Sequence, residues 1–201
     1  WNWKKESITT KYSMKRGYGI GKVAYCRNHG VAVVVGNNNP DAVVFPCQNT
    51  GKQAFTLKGP PGGISSLVYN EARGVVCLGG TTGQIDAFAV SGGQKVKSLL
   101  GGKGMVNALD FDAGMNVLVS AHDDNQAFAW DFENGKGQKL AHSAAVISLQ
   151  VCKKAGNTIV TSCSDGRAYL WEKSSSETVH KQVRCFDAGS HCVVDGLVWS
   201  S

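Results

Sequence analysis

The 201-residue chain has 25 glycines, 4 prolines and 42% apolar residues, a mix that suits many short strands joined by turns and argues against disorder. No apolar run approaches the roughly 20 residues of a membrane-spanning helix, and the opening WNWKKESITT lacks the basic-then-apolar pattern of a secretory leader. The net charge of +6 is local: residues 1–30 hold Lys4, Lys5, Lys11, Lys15, Arg16, Lys22 and Arg27 against Glu6 alone, while the rest of the chain balances.

Alternation and turn chemistry then predict strands along the chain. The stretch IGKVAY from Ile20 opens a first unit, with further strands at 30–35, 42–45 and 53–57 and a turn at Asn37-Asn38-Asn39-Pro40. ISSLVY from Ile64 opens a second, with strands at 75–78, 85–90 and 95–100 around the turn Thr81-Thr82-Gly83. VNALDF from Val106 begins a third, continuing at 117–120, 127–130 and 138–141. VISLQV from Val146 begins a fourth, running through Trp171 to a last strand at 182–186, after a Ser-rich loop at 173–181. VDGLVW from Val194 starts the pattern again, and the five openings are 44, 42, 40 and 48 residues apart.

Two segments repeat more closely. NVLVSAHDDNQAFAWD (116–131) and TIVTSCSDGRAYLWE (158–172) each place a turn Asp six residues before a Trp, Asp124 to Trp130 and Asp165 to Trp171. Each also places a hydroxyl four residues before that Asp, Ser120 and Thr161. With a 40- to 45-residue period, this resembles the WD-repeat family of β-propellers. The resemblance implies an all-β fold of four-stranded antiparallel blades, full at 20–63, 64–105, 106–145 and 146–193. The end of a partial blade at 1–19, where Trp1-Asn2 stands for a Trp-Asp pair, and a first strand at 194–201 flank them. The chain then reads as a segment of a larger ring, commonly seven-bladed in this family, completed by blades of a parent chain or by another segment.

In WD-repeat proteins, His, Ser/Thr, Asp and Trp form a buried relay from the indole through the hydroxyl and imidazole to the carboxylate. By resemblance His142, Thr161, Asp165 and Trp171 supply it in the fourth blade. The third has Ser120, Asp124 and Trp130 but Gly102 where the His would stand. The second and first keep Phe88 and Phe45 in place of Trp, so the relay fades toward the N-terminus. His, Asp and Ser/Thr also name a hydrolase triad, but recurrence at the blade period and the included Trp favour a structural role. Gly17-Tyr18-Gly19-Ile20-Gly21 and Gly101-Gly102-Lys103-Gly104 lead into strands, where phosphate-cradling loops need a helix N-terminus, and read as turns.

Function on such a disc belongs to its rims. The resemblance implies a non-catalytic platform for proteins or peptides within a larger assembly. One rim gathers Asn37, Asn38, Asn107, His122, Asp123, Ser143, Ser164 and Arg167. His122-Asp123 departs from the small residues usual there and reads as a contact pair or as a solvated turn. The N-terminal bases Lys4, Lys5, Lys11, Lys15 and Arg16 read as a solvated edge strand or as a patch for an acidic ligand, a phosphoinositide or nucleic acid. An enzyme would need carboxylates or histidines clustered at the strand entries, and no cofactor is implied. Seven cysteines without a C-x-x-C pair read as reduced structural thiols in an intracellular, cytoplasmic setting. His180, Cys185, His191 and Cys192 fit no common zinc spacing.

Overall fold

The computed structural model describes residues 19–37, 39–47, 55–112, 116–152, 158–173 and 179–189. Among these, sixteen strands form four antiparallel sheets, each a meander of four consecutive strands. The first sheet holds β1 (Ile20–Cys26), β2 (Val31–Gly36), β3 (Asp41–Pro46) and β4 (Phe55–Lys58), with a 3-10 turn at Arg27–His29. The second holds β5 (Ile64–Asn70), β6 (Val75–Gly80), β7 (Gln84–Ala89) and β8 (Lys95–Leu100). The third holds β9 (Val106–Asp112), β10 (Val117–His122), β11 (Gln126–Asp131) and β12 (Lys136–Ala141). The fourth holds β13 (Val146–Val151), β14 (Thr158–Cys163), β15 (Arg167–Glu172) and β16 (Lys181–Asp187). The partial blades expected at 1–19 and 194–201 lie outside the described residues, apart from Gly19.

The second and third sheets bury both faces of their middle strands, so these read as apolar runs rather than alternating ones. Three cores result, one between each successive pair of sheets. Val33, Val35 and Val44 meet Val76, Leu78 and Phe88; Cys77, Ile85 and Leu99 meet Leu118, Phe128 and Trp130; Val119, Ala121 and Leu140 meet Leu149, Ile159 and Trp171. The first strands β1, β5, β9 and β13 lie side by side in that order. Sheets stacked face to face, with their first strands adjacent, are the blades of a propeller.

Register makes the sheets superimposable. Val34, Leu78, Ser120 and Thr161 stand at one position of the second strand, opposite Val43, Asp86, Phe128 and Tyr169 on the third. Two residues on, the third strand carries Phe45, Phe88, Trp130 or Trp171. Each first strand also shifts register near its second residue, a bulge shared by all four sheets. A bulge re-aims the side chain it carries. Ser65 accordingly donates to the Val106 carbonyl at 2.8 Å, and Asn107 to the Val146 carbonyl at 2.9 Å. Each bond ties a blade to its successor.

Candidate interaction rim

One end of the disc is built from the turns between second and third strands and the segments that enter each first strand. The same backbone bond joins them in every sheet. The N–H groups of Asn37, Thr81, Asp123 and Ser164 donate to the carbonyls of Gly19, Gly63, Met105 and Ala145, at 2.6, 3.1, 3.1 and 2.9 Å. Turn and entry segment are thus one frame. In the last three sheets the third turn residue has positive φ, Gly83 at 89°, Asn125 at 62° and Gly166 at 82°, as such tight turns require.

Beneath the rim of the fourth sheet, the Trp171 indole donates to Thr161 Oγ1 at 3.0 Å, and His142 Nε2 lies 2.7 Å from the same oxygen. His142 Nδ1 then donates to the Leu140 carbonyl at 2.9 Å. The chain of bonds expected to continue to Asp165 takes another course. Asp165 accepts from the Ser143 hydroxyl at 2.6 Å and the Arg167 backbone at 3.2 Å, and Arg167 pairs with it at 3.4 Å. The Ser143 bond, then the N–H and charge of Arg167, hold its carboxyl below the usual carboxylate range. The physical reason is access: the Leu140 carbonyl lies two residues from the imidazole, while Ser143 and Arg167 offer the carboxylate better donors. Tyr169 joins this group through its hydroxyl, 2.9 Å from Ser143 Oγ.

The third sheet overturns the rim reading of His122. That residue is 0% exposed. Its Nε2 lies 2.8 Å from Ser120 Oγ, which accepts the Trp130 indole N–H at 2.9 Å, and its Nδ1 faces the Gly104 carbonyl at 3.3 Å. The imidazole missing at position 102 therefore arrives from position 122. A Cβ at Gly102 would overlap this ring, so glycine there is the space the histidine occupies. Gly36, Gly80 and Cys163 hold the equivalent position elsewhere. Burial lowers the pKa of both rings, that of His142 to about 4.

The other sequence-singled residues divide. Asp124 accepts the Lys103 N–H at 2.7 Å and closes the entry segment. Asn107 spends its amide on Val146 and on Asp123, the latter at 2.6 Å, so it positions the Asp123 carboxylate instead of standing free. Asp123, Ser164 and Asn37 are exposed. Asn38 and the bases Lys4, Lys5, Lys11, Lys15 and Arg16 lie outside the described residues. A cleft of about 390 Å³ opens beside Asn37, lined by Lys22, Ile64, Thr81 and Met105.

Sequence reasoning missed a buried carboxylate in the second sheet. Asp86, 0% exposed, accepts from Ser98 at 2.6 Å, Lys95 at 2.7 Å and Gln84 at 3.0 Å. Burial would raise its pKa, but these three donors outweigh it and leave the carboxyl low. The signal was a lone charge inside the apolar run IDAFAV, facing Ser98 across the hairpin.

Comparison with known proteins agrees with this geometry. The model of the WD domain, G-beta repeat (WD40), matches residues 93–131 and 136–172. Among solved structures, the chain is similar to a computationally designed protein, Ika8, with TM-score 0.75 and 21% identity over 90% of this chain and 53% of that one. It is similar to a chain of a mitotic checkpoint complex with TM-score 0.78 and 20% identity over 94% of this chain and 57% of that one. The chain thus spans little more than half the length of either. No curated protein sequence matches it significantly.

Proposed function

Because residues 93–131 and 136–172 are WD40 repeats set in a propeller fold, we propose that the chain is a non-catalytic platform that binds other proteins on its strand-end rim, as a subunit of a larger assembly. One observation carries the reading: a fixed backbone frame presents Asp123, Ser164 and Asn37 outward, while beside them His122 is buried and His142 half-buried. A rigid frame with exposed polar groups suits partner recognition, whereas imidazoles spent on Ser120 and Thr161 are poorly placed to move protons for a substrate. One of the similar solved chains comes from a mitotic checkpoint complex, which supports the same reading.

The four sheets are proposed to form part of a larger ring, seven blades being the family's common number. Val23 at 58% and Tyr25 at 56% exposure on β1 support this, since such side chains are ordinarily covered. A reducing, cytoplasmic setting is part of the proposal. Six free cysteines among the described residues support it, three of them (Cys26, Cys77 and Cys163) pushed up to about 12 by burial and so unreactive.

Amine cross-linking of the complexes this chain forms in cells tests the site. The expected links run from Lys22 and Lys103 at the rim. Links confined to Lys139 and Lys181 on the outer strands would contradict it.

A further inference from the structure

A second cleft lies at the opposite end of the strands, where the third and fourth sheets meet. Its volume is about 670 Å³. Val117, Ala129 and Val179 supply its apolar lining, and Lys136 and Lys173 its positive charges. The walls are tied together by a reciprocal amide pair: Gln138 donates its Nε2–H to the His180 carbonyl and accepts the His180 N–H, both at 2.6 Å.

Three features set the chemistry of an occupant. Neither Lys136 nor Lys173 is in an ion pair among the described residues. The His180 side chain lines the cleft at 7% exposure, and its ring makes no hydrogen bond among the described residues. Burial, and then the nearby Lys173 charge, push its pKa down to about 4, so at neutral pH it offers one N–H without adding charge. Asp131, the carboxylate lining the cleft among the described residues, keeps its charge, but its oxygens are held by donors of its own turn. Its oxygens accept from Glu133 N–H at 2.9 Å, from Asn134 N–H at 3.1 Å and from the Asn134 side-chain amide.

Two cations and one buried ring without polar partners among the described residues, beside an aliphatic lining, call for a carboxylate carried next to an apolar group. We propose that this cleft is a second docking site, separate from the rim, for a short acidic peptide segment of a partner protein. A Glu or Asp side chain sits between Lys136 and Lys173, and a neighbouring aliphatic side chain meets the apolar lining. The concave shape favours a peptide over a flat membrane surface, and the lining among the described residues offers no Phe, Tyr or Trp for stacking nucleic-acid bases.

The test is an amide-shift titration of the full ¹⁵N-labelled chain with the acetylated, amidated peptide Leu-Glu-Glu-Leu. Its Leu-Gln-Gln-Leu counterpart and inorganic phosphate serve as separate probes. Saturable shifts at Lys136, Gln138, Val179 and His180 are expected, weakened at least about tenfold by the Gln peptide or by Lys136→Gln with Lys173→Gln. Lys136→Arg with Lys173→Arg keeps the charges and should retain binding, which guards against a merely unfolded variant. Asp123→Arg at the rim should leave the titration unchanged, so failure here and failure of the rim reading are distinguishable. Absence of saturable shifts, equal binding of the Gln peptide, or phosphate acting alone with the same affinity would each overturn the proposal.

Discussion

His122 and His142 reach the same hydroxyl–indole pair from two different places in the chain. One comes from the end of the second strand and the other from the segment that enters the first strand. Ring and vacancy are exchanged as a unit, Gly102 with His122 in one sheet and His142 with Cys163 in the other. A swap should therefore be tolerated. His122→Gly alone opens a cavity and strips Ser120 of its imidazole partner, costing about 2 kcal/mol or more. Gly102→His alone overpacks against His122 at a similar cost. Combined, they should be less destabilising than the sum of the singles by at least about 1 kcal/mol, measured as a denaturation double-mutant cycle. Strict additivity would mean the two positions do not share one space. Ser120, Thr161 and their tryptophans were legible because a hairpin with a fixed turn holds them at constant spacing. The role of His122 was not, because residue type does not say which way a ring turns. Only the register shows that Gly80 and Cys163 stand at its position.

Strand positions were readable from the apolar runs, and the turns from Thr81-Thr82-Gly83 and Ser164-Asp165-Gly166, where glycine supplies the positive φ. Hidden from the sequence was the bulge at each first strand, since one extra residue leaves the apolar pattern almost unchanged. That bulge aims Ser65 and Asn107 at the next sheet, so cohesion between blades includes directed bonds as well as apolar packing. Ser65→Ala should lower stability by about 1 kcal/mol with an unchanged denaturant slope, and should speed amide exchange in β9. Unchanged stability and exchange would show that packing alone joins these sheets. The Asp86 cluster has the same lesson, because a lone charge in a strand is interpretable only once its partners across the hairpin are known.

Across the molecule the polar relays are unevenly spread. The first two sheets fill the relay position with Val34 and Leu78, while the last two hold imidazoles, His122 buried and His142 half-buried. A histidine whose folded pKa lies below its ordinary 6.5 takes up protons on unfolding, so its contribution is complete above about 6.5 and is lost as pH falls toward about 4. The melting temperature should therefore drop between those limits. For His142 the loss is on the order of 1 kcal/mol per pH unit, and His122 and His180 add in the same direction. His142→Gln should reduce that dependence in part, leaving the share of His122 and His180, and an unaltered slope would show that the His142 ring does not contribute. Fold class was legible because the same sheet is written several times. The division of the rim into buried and exposed side chains was not, since it depends on which neighbours each turn residue finds.

That division is the claim on which the functional reading stands, and Asp123→Arg tests it most directly. Its exposed carboxylate lies outside the cores, so the variant should melt within a degree or two of the wild type while co-purifying proteins fall several-fold. Full retention of those proteins by a normally folded Asp123→Arg chain would contradict the account.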